Sequence, residues 1–155
     1  MGQQQRAALL ALVGSLLVYV AALALFPATG DQDAALHALH SLFPLEASRL
    51  LSVWSRPLFA VPYVIPAWIG YPAMRLCTAA ISALAAWITY LAARRAALPR
   101  PWIAIPLVLL QPCLFVPGVD TMTEPIFALV LAAGLWAFVD GRLLLTAEVM
   151  CGISK

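Results

Sequence analysis

The sequence predicts an all-α, polytopic transmembrane helical bundle, with about four spans and two short interfacial helices in the first outer loop. Two observations carry this. Of 155 residues, 64% are hydrophobic and only 10% are charged, with a mean hydropathy of +0.95, against roughly 45–50% apolar and about 25% charged in a soluble domain. The apolar residues also gather into long runs closed by charged or turn-forming clusters. A chain this short cannot hide so much apolar surface in its own core, because small domains leave much of their surface outside. A soluble enzyme and a disordered chain are both excluded. The net charge of +2 comes without the basic cluster that nucleic-acid binding needs. Cys77, Cys113 and Cys151 are widely spaced in apolar surroundings, which fits neither a disulfide framework nor a metal knuckle.

The first span is expected over residues 7–26, a run without charge. It is longer than the roughly 7–15 apolar residues of a signal peptide, and Pro27 and Gly30-Asp31 follow it instead of a small-residue cleavage site. The second span covers residues 74–93 and is closed by Arg94-Arg95. The third, 102–117, is short and holds Pro106 and Pro112; the fourth, 126–139, ends at Asp140-Gly141-Arg142. Both fall near or below the roughly 20 residues a span needs, so they must borrow flanking residues or kink against partners. Pro57, Pro62 and Pro66 argue against a straight helix over 57–70, which reads as a re-entrant or interfacial segment leading into the second span.

Orientation follows the Lys/Arg bias. With the N-terminus in the cytoplasm, Arg6, Arg94, Arg95, Arg100, Arg142 and Lys155 lie inside, and Arg49, Arg56 and Arg75 outside. That arrangement places the chain in the cell membrane as a multi-pass protein. Asp31, Asp33, Glu46, Asp120 and Glu124 then fall outside, and Asp140 and Glu148 inside. Residues 143–153 read as the opening of a further span. The whole of 1–155 is expected to be one transmembrane domain.

The first outer loop carries two amphipathic helices, about 33–43 and 46–55. Leu36, Leu39 and Phe43 make an apolar stripe beside a polar one of Asp33, His37 and His40. Pro44 ends the first helix, and Ala47, Leu50, Leu51 and Trp54 share a face of the second. Helices of this kind lie in the membrane interface and would hold Asp31 and Asp33 near headgroup level. A carboxylate there can act as general base toward a hydroxyl, or bind a divalent cation; equally, the two aspartates can simply cap the helix. The histidines read either as a solvated face or, with Asp33, as three zinc-type ligands lacking a fourth. In the second outer loop, Thr123-Glu124-Pro125 has the composition of a helix start. Asp120 and Glu124 lie on the same side as Asp31, and acids from two loops facing one cavity would suit metal–phosphate binding.

A longer pattern runs through these pieces: a first span, an Asp-containing outer loop, Trp54-Ser55-Arg56-Pro57-Leu58-Phe59, Gly70-Tyr71-Pro72-Ala73-Met74-Arg75-Leu76, Ala93-Arg94-Arg95, Thr123-Glu124-Pro125-Ile126-Phe127 and Asp140-Gly141-Arg142. It resembles the N-terminal part of the polytopic GT-C glycosyltransferases, and more narrowly the bacterial relatives of the dolichyl-phosphate-mannose protein mannosyltransferases. The resemblance covers most of residues 5–153. It implies transfer of a sugar from a polyprenyl-phosphate-linked donor to an acceptor on the extracytoplasmic side. Asp31 best matches the family's acidic residue of the first outer loop, with Asp33 as alternative, because Gln32 separates two acids that are adjacent in many relatives. Asp120 and Glu124 match the positions that help hold a divalent metal in some members. Arg56 and Arg75 are matched to the carrier phosphate, and His37 joins them as a substrate-binding candidate; a snorkelling interfacial role for Arg75 stands beside this. Family members carry more spans, so the chain is expected to be the N-terminal part of such a module. The competing expectation is a non-catalytic membrane scaffold or subunit of a larger membrane complex, suited by alanine-rich stretches such as 79–93. Half of a transporter is a third, weaker reading.

Overall fold

The computed structural model describes residues 2–25, 41 and 61–141. Every regular element among them is helical. Helix α1 spans Gln3–Leu25. A 3-10 turn, Val61–Tyr63, leads into α2, Val64–Ile69, and α3 spans Tyr71–Arg95. A second 3-10 turn, Pro101–Ile103, opens α4, Ala104–Leu109; α5 is Pro112–Gly118 and α6 is Glu124–Val139. The interfacial helices expected over 33–43 and 46–55, together with Asp31, Asp33, His37 and Arg56, lie outside the described residues, as does the stretch 143–153. Only Ser41 of the first loop is described, and it is helical and buried.

Among the described residues two helices, α1 and α3, are long and apolar enough to cross a membrane, and a third span results if the bent pair that includes α4 and α5 counts as one. At 1.5 Å per residue, the 23 residues of α1 and the 25 of α3 reach about 35 Å and 37 Å, beyond a hydrocarbon core of about 30 Å. Both begin earlier than the apolar runs alone suggest. Gln3–Arg6 is already helical at the start of α1. Helix α3 starts at Tyr71 because Pro72 suits the first turn, where its missing N–H has no helical partner to lose. Gly70 separates α2 from α3 with φ 133 and ψ 171, a conformation essentially restricted to glycine.

The third apolar run is broken, as its prolines imply. Its two halves meet at 59°. Pro112 removes a backbone donor and forces Gln111 out of the helical region to φ −68, ψ 136. The 16 residues of α6 amount to about 24 Å, shorter than the hydrocarbon core.

Helix α3 is the axis of the bundle and touches each of the helices α1, α2, α4, α5 and α6. Its buried face, Met74, Thr78, Ala79, Ser82, Ala85, Ala86, Tyr90 and Ala92, is dominated by small and hydroxyl-bearing residues. The buried residues of α1 are Ala8, Ser15, Tyr19 and Ala22, and the three small ones recur every seven positions. Small residues let helix backbones approach closely in lipid. The outside is the reverse: Leu10, Val13, Leu17, Ile65, Trp68, Leu107, Phe127 and Leu131 are all exposed. A water-soluble domain places such residues inside. This inverted distribution is what a hydrocarbon solvent selects.

One cluster joins Ala8 and Tyr19 of α1, Ala79, Ala86 and Tyr90 of α3, and Ile105 and Leu109 of α4. The second joins Tyr63, Ala67, Met74 and Ile126. Tyr19 anchors the first. Its hydroxyl donates to the Leu114 carbonyl at 3.4 Å, and its ring meets Phe115 edge-on at 5.0 Å. That fit requires Gly118, where an added Cβ would stand 2.5 Å from the Tyr19 hydroxyl.

Candidate functional site

The chain ends of the helices sort the polar groups. At one end of α3, Arg75 Nε donates to the Val119 carbonyl at 2.7 Å and Nη1 to the Leu23 carbonyl at 3.5 Å. This arginine therefore ties α3 to the last turn of α1 and to the loop after α5. At the other end, Arg95 Nε pairs with Asp140 Oδ1 at 3.0 Å, which ties α3 to the end of α6. With Leu23 beside Arg75, α1 and α3 run antiparallel, and α3 and α6 run parallel.

The Arg75 end holds the candidate site. The Tyr71 hydroxyl donates a short hydrogen bond to Asp120 Oδ1, and the same oxygen accepts the Thr121 backbone N–H at 2.9 Å. The Thr121 hydroxyl lies 3.4 Å from that of Tyr71 and donates to it. Asp120 is only 5% exposed. A buried carboxylate has to be met by donors, because desolvation of its charge is otherwise severe, and Tyr71 and Thr121 supply them. Beside this network a groove of about 310 Å³ is lined by Val20, Leu23, Ala24, Pro72, Arg75 and Leu76. It pairs one guanidinium with apolar walls from α1 and α3.

Of the residues singled out in the sequence, Arg75 and Asp120 are thus brought to one end of the bundle, while Glu124 stands apart from Asp120 in environment. Glu124 opens α6 and is exposed. Thr123 precedes it without a side-chain capping bond, so the expected cap is not formed by its hydroxyl. Tyr63, next to this end, donates to the Met122 carbonyl at 3.5 Å and receives the Thr78 hydroxyl at 3.0 Å. Burial pushes its phenol up to about 12; the Thr78 bond opposes this, and the Cys77 and Glu124 charges add to it.

Among the described residues, no three His, Cys, Asp or Glu side chains group as a metal site. Asp120 Oδ1 accepts two hydrogen bonds. Tyr71, Thr121 and Tyr63 are the parts of the site that the sequence reading did not single out. For Tyr71 a signal existed: a hydroxyl-bearing aromatic between Gly70 and Pro72, four residues before Arg75 on what becomes the same helix face.

Comparison with known proteins adds no relative: no family model, no curated protein and no solved structure matches the chain.

Proposed function

We propose that the chain is a multi-pass membrane glycosyltransferase module, with about four spans and a cytoplasmic N-terminus, that takes a sugar from a polyprenyl-phosphate-linked donor on the extracytoplasmic side. The observation that carries this reading is the groove at the Arg75 end, where one guanidinium heads a channel with apolar walls. A polyprenyl phosphate has that same division between an anionic head and an apolar tail. Arginine suits phosphate oxygens because its planar fork of N–H donors matches them. The Val119 and Leu23 carbonyls orient the guanidinium.

In the proposed reaction an acceptor hydroxyl oxygen bonds to the anomeric carbon as the carbon–oxygen bond to the carrier phosphate breaks. The polyprenyl phosphate leaves with the electron pair, and the acceptor proton passes to the carboxylate of Asp31 or Asp33. Arg75 meets the charge that develops on the leaving phosphate. Asp120 holds Tyr71 and the Thr121 backbone, which keeps the mouth of the groove in shape.

A second reading is favoured by the same carboxylate. Asp120 is buried and engaged, as a purely architectural clamp would be, and a non-catalytic scaffold or subunit of a larger membrane complex needs nothing more. Sugar transfer from polyprenyl-phosphate donors in membranes containing the full chain separates the two. On the enzyme reading, the unaltered chain transfers sugar, Asp31→Asn or Asp33→Asn abolishes it at equal expression, and Arg75→Gln weakens donor use. Absence of transfer by the unaltered chain fits the scaffold and equally an N-terminal part that is inactive without the rest of its module; extending the chain past Lys155 with its downstream sequence then separates the two.

A further inference from the structure

The opposite end of the bundle carries a second groove, of about 400 Å³, lined by Leu91, Arg94, Arg95, Trp136 and Asp140. We propose that it seats the headgroup of an anionic phospholipid, with the lipid phosphate on Arg94. Three features place the ligand. Leu91 lies one turn before Arg94-Arg95 on α3, and Trp136 one turn before Asp140 on α6, so the walls change from apolar to charged along the direction in which a lipid changes from chain to headgroup. A tryptophan at this depth is typical of the membrane interface. The two cations are also not equivalent. Arg95 is held by Asp140 at 3.0 Å, whereas among the described residues no hydrogen bond or ion pair holds Arg94, which is exposed. The groove therefore has a surplus positive charge at its rim, and phosphate is the anion that a membrane brings to that depth.

The C-terminus of α3 would favour arginines by its dipole alone. That accounts for the charge but not for an aromatic-walled groove between two helix ends. Arg100 provides the internal control. It is exposed at the same end of the molecule but lines a different groove, with Leu98, Pro99 and Ile103. A diffuse basic surface would use it as readily as Arg94.

The test is native mass spectrometry of the full chain released from nanodiscs of phosphatidylcholine containing phosphatidylglycerol. The chain is expected to retain phosphatidylglycerol over phosphatidylcholine. Arg94→Gln should cut that retention about fivefold, equivalent to the roughly 1 kcal/mol that a basic residue contributes near an anionic surface. Asp140→Asn, which releases Arg95, should raise it, and Arg100→Gln should leave it unchanged. Circular dichroism confirms that each variant keeps its helicity. Equal losses in the Arg94 and Arg100 variants would overturn the proposal in favour of a diffuse surface. Displacement of the lipid by millimolar inorganic phosphate would overturn it in favour of a free-phosphate site.

Discussion

Replacing Gly118 by alanine inserts a methyl group into the tightest contact of the bundle. The new Cβ would lie 2.5 Å from the Tyr19 hydroxyl, 2.9 Å from Tyr19 Cε1 and 3.0 Å from Ser82 Oγ. The hydroxyl must retreat by about 0.9 Å to reach ordinary contact. It has no room to do so by rotation, because Tyr19 is fully buried and its ring is held edge-on by Phe115. The strain therefore passes to the spacing between α1 and α5. Overpacking of this kind destabilises by about 1–3 kcal/mol. The assay is equilibrium unfolding of the full chain in mixed detergent micelles with increasing dodecyl sulfate, followed by loss of helicity. A double-mutant cycle isolates the contact. Tyr19→Phe removes the nearest atom and should rescue Gly118→Ala in part, and Tyr19→Leu, which also removes Cε1, should rescue it further. Each Tyr19 variant alone is expected to be less stable than the parent. Additive losses in the double variants would refute the close approach of Tyr19 to Gly118.

Two further outcomes follow from the candidate site. Tyr71→Phe leaves the buried Asp120 carboxylate without its phenolic donor and should destabilise the chain by about 1.5–3 kcal/mol, the scale of a hydrogen bond to a charged group; Asp120→Asn, which keeps an acceptor for both donors, should lose less in the same unfolding assay. The Tyr63 phenol is raised from 10 to about 12, so the folded state holds this proton more tightly than the unfolded chain does. Its contribution is complete below pH 10 and is lost as pH rises through about 12; the late part of the phenolate absorbance titration should shrink by one tyrosine in Tyr63→Phe.

What the sequence made legible was set by solvent preference. Runs of apolar residues mark α1 and α3 because a hydrocarbon core acts on whole segments and sums over about 20 residues. Proline chemistry marks the break between α4 and α5, since Pro112 acts on its own neighbour, Gln111, through local sterics. Arg75 and Asp120 were legible as rare charges among apolar residues. Their partners were not. Tyr71 and Asp120 are 49 residues apart, and Tyr19 and Leu114 are 95 apart. No periodicity within one helix encodes which turn of another it will face. The 23 residues of α1 show the same limit: nearly every position is apolar, so the stripe of Ala8, Ser15, Tyr19 and Ala22 is marked by small size and hydroxyls, not by hydropathy.

That stripe bears on what holds the bundle together. In water, burying Leu and Val would drive association, but here those residues face outward, and lipid tails solvate them as well as another helix does. Stability must then come from close packing and from hydrogen bonds. The interior is built accordingly. Ser82 and Thr89 donate to carbonyls four residues back, at 3.0 Å and 2.8 Å, which satisfies their hydroxyls without needing a partner helix. Tyr19, Tyr63 and Tyr71 instead reach across to other elements. Tyr90 departs from this: it is fully buried against Trp87, and among the described residues its hydroxyl has no hydrogen-bond partner. A phenol so placed contributes its ring and carries an unmet polar group, so Tyr90→Phe should be neutral or stabilising in the unfolding assay. The tyrosines that bridge helices should all move the other way. A loss of stability in Tyr90→Phe equal to that in Tyr71→Phe would mean that hydroxyl groups hold this interior regardless of their partners, and the division between bridging and orphan phenols would fall.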